Sequence, residues 1–242
     1  MKAMVFAAGL GTRLKPYTDT MPKALVPVAG KPMLGHVLEK LIASGYDDIV
    51  INVHHFAQQV RDYVAANDSF GVKISFSDET DLLRETGGGL RHAAPLLEDE
   101  KECVLVHNVD IISDLDLDWF RRQHRDGDLA TILVSDRNTA RYFLFDEDRR
   151  LVGWMNVETG EVRSPYSGID PDQCLKLAFS GVHMVSPRMF GIMRDWPEKF
   201  PIVDFYLTEC RNHVIRAAVP EKLTMLDIGK PQTLELANKA TI

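Results

Sequence analysis

Cysteine is scarce in this chain: Cys103, Cys174 and Cys210 are its only three, odd in number and widely separated. No C-x-x-C pair exists, which argues against a thiol redox pair or a cysteine-built metal site and leaves free thiols in a reducing compartment. Long apolar runs are also missing. Nothing approaches the ~18 residues of a membrane helix, and the opening MKAMVFAAG holds no apolar segment long enough for a secretory signal. Nor is there an excess of positive charge. The formal net charge is −7, the wrong sign for a nucleic-acid-binding surface. The expected setting is cytoplasmic, with no nucleic acid and no membrane. Internal repeats, low-complexity segments and linkers are absent too, so 242 residues, 45% of them hydrophobic, fit one large α/β domain with an ample core.

What is present concentrates in Ala7–Leu34, AAGLGTRLKPYTDTMPKALVPVAGKPML. It follows a short apolar strand, Ala3–Phe6. Gly9 and Gly11 let the backbone approach a ligand and turn N–H groups towards an anion. Arg13 and Lys23 add a planar fork and a point charge, both suited to phosphate oxygens. Pro16, Pro22, Pro27 and Pro32 stiffen the loop. Two better-known phosphate loops are excluded: neither glycine continues as G-x-x-x-x-G-K-[S/T], and position 14 is Leu where a dinucleotide fingerprint wants a small residue.

Further along, Pro32 and the stripe Met33, Leu34, Val37, Leu38, Leu41 and Ile42 predict a helix closed by Gly45. Ile49–Val53 reads as a buried strand, residues 56–66 as a second amphipathic helix, and His54 and His55 as satisfied loop histidines. After the strand Val72–Phe76 come Arg84-Glu-Thr-Gly-Gly-Gly-Leu90. Three glycines before a helix over 90–97 suggest a ligand loop made for close backbone approach. The strand Cys103–His107 ends in Asn108-Val-Asp110, and a strand-end Asp is either a turn or cap residue or a ligand group in the crevice. Asp116 is expected to cap a helix near 117–126, and 129–135 to form a strand. Alternation over 141–163 predicts antiparallel hairpins. Leu175–Val185 reads as a strand in which Gly181 marks a close approach. Asp204 suits the first turn of a helix. Leu223–Gly229 is a strand carrying Asp227, followed by a terminal helix to residue 239.

The strings Ala7-Ala-Gly-Leu-Gly-Thr-Arg-Leu-Lys-Pro16, Pro22-Lys-Ala-Leu-Val-Pro-Val-Ala-Gly-Lys-Pro-Met33 and Asp227-Ile-Gly-Lys-Pro231 closely resemble the signature of the sugar-1-phosphate nucleotidyltransferases, or NDP-sugar pyrophosphorylases. The resemblance runs from residue 1 to about 240 and is weakest at 136–172. It implies a three-layer α/β/α Rossmann-like nucleotidyltransferase fold with a mixed, mostly parallel central sheet and a small antiparallel sugar-side lobe. The nucleotide half would span about 1–135, the lobe about 136–220 and the terminal helix about 231–239. No second catalytic domain is expected after residue 242.

The implied partners are an NTP and a sugar 1-phosphate, the implied cofactor Mg²⁺, and the expected assembly a monomer or small homo-oligomer. By position, Ala7, Ala8, Gly9, Gly11, Thr12, Arg13, Lys23, Glu85, Thr86, Gly87 and Gly88 would meet the nucleotide. Asp110 and Asp227 would hold the metal. Arg13 and Lys23 join these two as the catalytic set. Asn108, Asn156 and Gly181 are candidate sugar contacts, although Asn156, like Arg141, reads equally as a satisfied surface residue. Val109 departs from the small residue usual between Asn108 and Asp110 and narrows that space. The E-T-G-G-G form at Glu85–Gly89 tilts the expected reaction towards UTP and N-acetylmuramic acid 1-phosphate, giving a cell-wall or polysaccharide precursor. GTP with mannose or heptose 1-phosphate is the alternative, and a catalytically silent nucleotide-sugar-binding module is the non-enzyme alternative.

Overall fold

Alternation in the first strand, β1 (Lys2–Phe6), divides the core in two. Ala3 and Val5 enter one cluster of buried side chains, Met4 and Phe6 the other. A strand buried on both faces belongs at the centre of a covered sheet. The computed structural model describes residues 1–98 and 101–239; the rest of the expected 1–242 span lies outside the described residues.

After β1 the chain passes through three single-turn helices and a small hairpin, β2 (Pro27–Val28) and β3 (Lys31–Pro32). Helix α1 (Met33–Ala43) begins one residue later than expected, because Pro32 is extended and serves as its N-cap. Then come β4 (Asp48–Val53), α2 (Ala57–Ala66), β5 (Lys73–Asp78), α3 (Glu85–Leu97) and β6 (Val104–Asn108). A short β7 (Ile111–Ser113) precedes α4 (Leu117–Gln123), where Asp116 accepts from the Trp119 N–H at 2.9 Å and caps the helix as expected. The second half holds β8 (Ala130–Ser135), β9 (Arg141–Phe145), β10 (Leu151–Asn156), β11 (Val162–Arg163), β12 (Leu175–Val185), α5 (Arg188–Met193), α6 (Ile202–Glu209), β13 (Ile215–Ala218), β14 (Met225–Asp227) and α7 (Pro231–Lys239).

Ten of these strands form one mixed sheet. The order β6-β1-β4-β5 is parallel throughout. The eleven-residue β12 joins the halves: its C-terminal part lies antiparallel between β6 and β8, and its N-terminal residues Leu175–Leu177 pair with β9. Strands β9, β10 and β11 continue as the expected antiparallel lobe, and β13 adds to β8 in parallel. Helices α1, α2, α4 and α7 contribute to one core cluster and α3, α5 and α6 to the other, giving three layers. Arg216 of β13 pins the far edge through a bidentate, buried pair with Asp128 at 2.7 and 3.0 Å.

The main departure is at α3. The glycine cluster is not a loop before a helix but the first turn of the helix itself, which starts at Glu85. Its glycines pack closely against other parts of the chain. A Cβ on Gly87 would stand 2.3 Å from the Phe200 ring, one on Gly88 2.2 Å from the Glu198 carbonyl, and one on Gly89 2.7 Å from the Glu79 carboxylate. Low helix propensity of glycine is overridden by this close tertiary approach.

Candidate functional site

Strands β1, β4, β5 and β6 end on one side of the sheet, where open α/β sheets form their crevice. A cavity of about 420 Å³ lies there, within the usual ~300–1,000 Å³ of small-molecule sites. Its wall is built by Phe6, Ala7, Ala8, Gly9 and Lys23 from the opening segment, Asn52 and Glu79 below, Leu83, Glu85 and Thr86 at the start of α3, Asn108, Val109 and Asp110 after β6, and Pro201. Eight of the candidate site residues therefore share one cavity: Ala7, Ala8, Gly9, Lys23, Glu85, Thr86, Asn108 and Asp110.

Lys23 reaches this cavity because of Gly11. Gly11 has a positive φ of 63°, and a Cβ there would meet the Lys23 Cβ at 2.8 Å and the Thr18 methyl at 2.9 Å. The Lys23 ammonium pairs directly with Asp110, both side chains mostly buried. This places one cation and one carboxylate in contact, where a phosphate and a metal ion would each find a partner.

Asp227 arrives from the far end of the chain. In the β7–β14 pair it lies opposite Ile111, and the Ile228 N–H donates to the Asp110 carbonyl at 2.8 Å. Asp110 and Asp227 thus end on neighbouring backbone segments. Arg13 and Thr12 are exposed, in a single turn beside the cavity. The Arg13 guanidinium and the Asp227 carboxylate both pack against Gly229, where a Cβ would stand 2.7 and 2.9 Å from them. No group of three or more His, Cys, Asp or Glu suited to a metal occurs among the described residues. Two carboxylates nevertheless fit Mg²⁺, which keeps waters and takes phosphate oxygens for its remaining positions.

Four of the expected contact residues lie outside the cavity wall. Gly87 and Gly88 do not line the cavity: both N–H groups donate to the Phe200 carbonyl, at 2.9 and 3.0 Å, so this helix start has already spent donors that an anion would need. Asn156 lies in the β10–β11 turn, where its carboxamide oxygen accepts from the Glu158 and Thr159 N–H groups at 2.9 and 3.4 Å. It is a turn residue. Gly181 is buried under Asn108: its φ is +72°, and a Cβ would stand 2.8 Å from Asn108 Nδ2. Gly181 seats Asn108.

His54 is satisfied, as expected, with Nδ1 2.6 Å from the Glu79 carbonyl. Asp204 pairs with Arg163 at 2.6 Å in the first turn of α6. Burial raises the thiols of Cys103, Cys174 and Cys210, the last to about 12. Asn52 and Glu79 went unnoticed in the sequence. The polar Asn inside the apolar run Ile49–Val53 was the available signal.

A parallel-sheet crevice with a glycine loop, a buried Lys–Asp contact and a second Asp alongside defines a nucleotide-handling α/β protein. The nucleotidyl transferase family model matches residues 2–147. The N-acetylmuramate α-1-phosphate uridylyltransferase of Caulobacter vibrioides is 32% identical over 246 residues, covering 99% of this chain and 96% of that one. The mannose-1-phosphate guanyltransferase of Gibberella zeae is 38% identical over 139 residues, 56% of this chain and 37% of its own. Among solved structures, HddC from Yersinia pseudotuberculosis, complexed with GMP-PN, superposes with a TM-score of 0.77 at 25% identity and 98% coverage of both chains. The chain belongs to the nucleotidyl transferase family, among its sugar-1-phosphate nucleotidyltransferases.

Proposed function

We propose that this chain transfers a nucleoside monophosphate from an NTP to a sugar 1-phosphate, releasing pyrophosphate, with UTP and N-acetylmuramic acid 1-phosphate as the pair it takes. The Lys23–Asp110 contact inside the cavity is the observation that carries the reaction. The substrate pair rests on the full-length similarity to the Caulobacter vibrioides uridylyltransferase and on the E-T-G-G-G form of residues 85–89.

The attacking group is itself a phosphate with a second pKa of ~6, so near neutral pH it is largely dianionic and needs no general base. What remains is to bring two anions together and to stabilise charge on the leaving pyrophosphate, which is work for positioning and electrostatics. Lys23 moves from Asp110 to the α-phosphate and the incoming phosphate and offsets their repulsion. Arg13, at the loop edge, clamps the β- and γ-phosphates. Gly9 allows the triphosphate to approach the backbone, Asn108 holds the sugar, and Glu85 and Thr86 lie at the base end. Asp110 and Asp227 would hold Mg²⁺, which when bound neutralises phosphate charge and orients the triphosphate.

The test is pyrophosphate release with Mg²⁺, crossing four NTPs with the 1-phosphates of N-acetylmuramic acid, mannose, glucose and N-acetylglucosamine. Turnover confined to UTP and the N-acetylmuramic substrate is the expected result. Turnover with GTP and mannose 1-phosphate would overturn the substrate pair and keep the reaction. Silence across the grid from folded protein would overturn both in favour of a regulatory binding module.

A further inference from the structure

Beneath the cavity, two buried side chains tie its two ligand-facing segments together. Asn52, near the end of β4, accepts through Oδ1 from the Ala7 N–H at 2.6 Å and the Ala8 N–H at 3.2 Å. Its Nδ2 donates to Glu79 Oε1 at 2.7 Å. The other Glu79 oxygen accepts from the Arg84 N–H at 3.1 Å, immediately before α3. The phosphate loop is thereby joined to the start of α3 by an unbroken chain of hydrogen bonds.

Three features set this bridge apart from ordinary core polarity. Glu79 has no exposed surface, yet no cationic side chain among the described residues pairs with it: the Arg84 guanidinium turns away to Asp81, at 2.7 and 2.8 Å. A buried carboxylate held only by N–H donors is costly, and an apolar pair would hold the sheet as well. Second, Gly89 makes room for the bridge, since a Cβ there would stand 2.7 Å from Glu79 Oε1 and 3.1 Å from Asn52 Nδ2. Third, the polarity has a single solution. The Asn52 oxygen must face two backbone donors and its nitrogen a carboxylate, so the amide cannot turn over.

We propose that Asn52 and Glu79 are positioning residues that set the distance between the phosphate loop and the base end of the cavity, and so the nucleotide that fits. This rests on the nucleotidyl-transfer reading above. They act through Ala7, Ala8 and the first turn of α3 and do not themselves react.

Reversing the polarity of the central bond tests this. Glu79→Gln leaves one N–H facing another donor. Asn52→Asp sets two carboxylates against each other. In the double variant N52D/E79Q, the carboxylate at position 52 accepts from Ala7, Ala8 and the new amide at position 79. The oxygen of that amide accepts from the Arg84 N–H, so every bond is restored at unchanged net charge. The expected result for E79Q is an NTP KM raised about tenfold or more, the scale of losing a charge-assisted hydrogen bond, with kcat and the sugar-phosphate KM nearly unchanged. The double variant returns the NTP KM close to wild type. An unchanged NTP KM in E79Q, or a double variant as impaired as the singles, would overturn the proposal. If the singles unfold, recovery of thermal stability in the double without recovery of nucleotide affinity would make the bridge merely structural and overturn it equally. Direct titration of the same proteins with UTP and GTP reads the bridge even if wild type turns over none of the sugar phosphates, so the two readings fail separately.

Discussion

Arg13 and Asp227 share the space over Gly229: a Cβ there would stand 2.7 Å from an Arg13 guanidinium nitrogen and 2.9 Å from the Asp227 carboxylate. Residue 229 is not in the left-handed region, so alanine fits its backbone and displaces only the two side chains. Gly229→Ala is expected to lower kcat/KM at least tenfold, approaching the ~10²–10³ of losing one charge-stabilising contact. Thermal unfolding should shift little. Steady-state kinetics beside a melting curve checks both halves.

Lys23 and Asp110 act as a pair, and removing either should abolish most turnover. Lys23→Ala and Asp110→Asn are each expected to cost ~10²-fold or more in rate, with far-UV circular dichroism retained. Activity should vanish with EDTA and return with Mg²⁺. Full activity in either variant, or turnover without metal, would sink the assigned roles.

At Gly88 the expected effect is on stability. A Cβ would stand 2.2 Å from the Glu198 carbonyl oxygen, which is backbone and cannot swing aside. Gly88→Ala should lose ~1–3 kcal/mol through overpacking, measured by urea denaturation. A glycine kept only for a ligand would leave the urea midpoint unmoved.

Gly181→Ala combines two penalties, a left-handed φ of +72° and a clash with Asn108 at 2.8 Å. A loss of ~1–3 kcal/mol is expected from the backbone alone. Displacement of Asn108 should raise the KM for the sugar phosphate more than that for the nucleotide.

Acid should weaken the fold before most carboxylates titrate. Burial pushes His107 down from 6.5 to about 4 and His183 to about 3. His183 touches the Tyr206 hydroxyl and lies near His107. His107 bonds the Asn108 carbonyl, with Lys40 and Asp110 as charged neighbours, and half-buried His124 shifts the same way. Below about pH 6.5 the unfolded chain binds protons that the native chain refuses. The histidine contribution is thus complete above that pH and is lost as pH falls towards 4, at ~1.4 kcal/mol per pH unit for each residue. Urea midpoints should drop between pH 6.5 and 5, and His183→Gln should flatten that slope.

The sequence was most legible where local pattern and tertiary role agree. The alternation of β1, the apolar stripe of α1, the Asp116 cap and the whole of Leu175–Val185 could be read directly. Asp110 and Asp227 were legible through their motifs, though only the β7–β14 pairing brings them together. Gly87–Gly89 misled for a physical reason. Three glycines announce a close approach without saying to what: Gly87 and Gly88 meet Phe200 and Glu198, more than a hundred residues away, and Gly89 meets the Glu79 carboxylate. Asn156 misled because a side chain that serves its own turn looks in sequence like one offered to a ligand. The Asn52–Glu79 bridge depends on a contact between strand end and loop that no spacing rule describes.

Strand β12 bears on how the chain is made. It closes the edge of β6, holds β8 on its opposite side and pairs with β9 through its first residues, yet it lies late in the sequence. On a ribosome, β1, β4, β5 and β6 emerge first, and the edge of β6 stays bare until Val185 has been released. An uncovered strand edge is a template for pairing with other chains. The four parallel strands are therefore most exposed to misassembly while synthesis runs from residue 108 to 185.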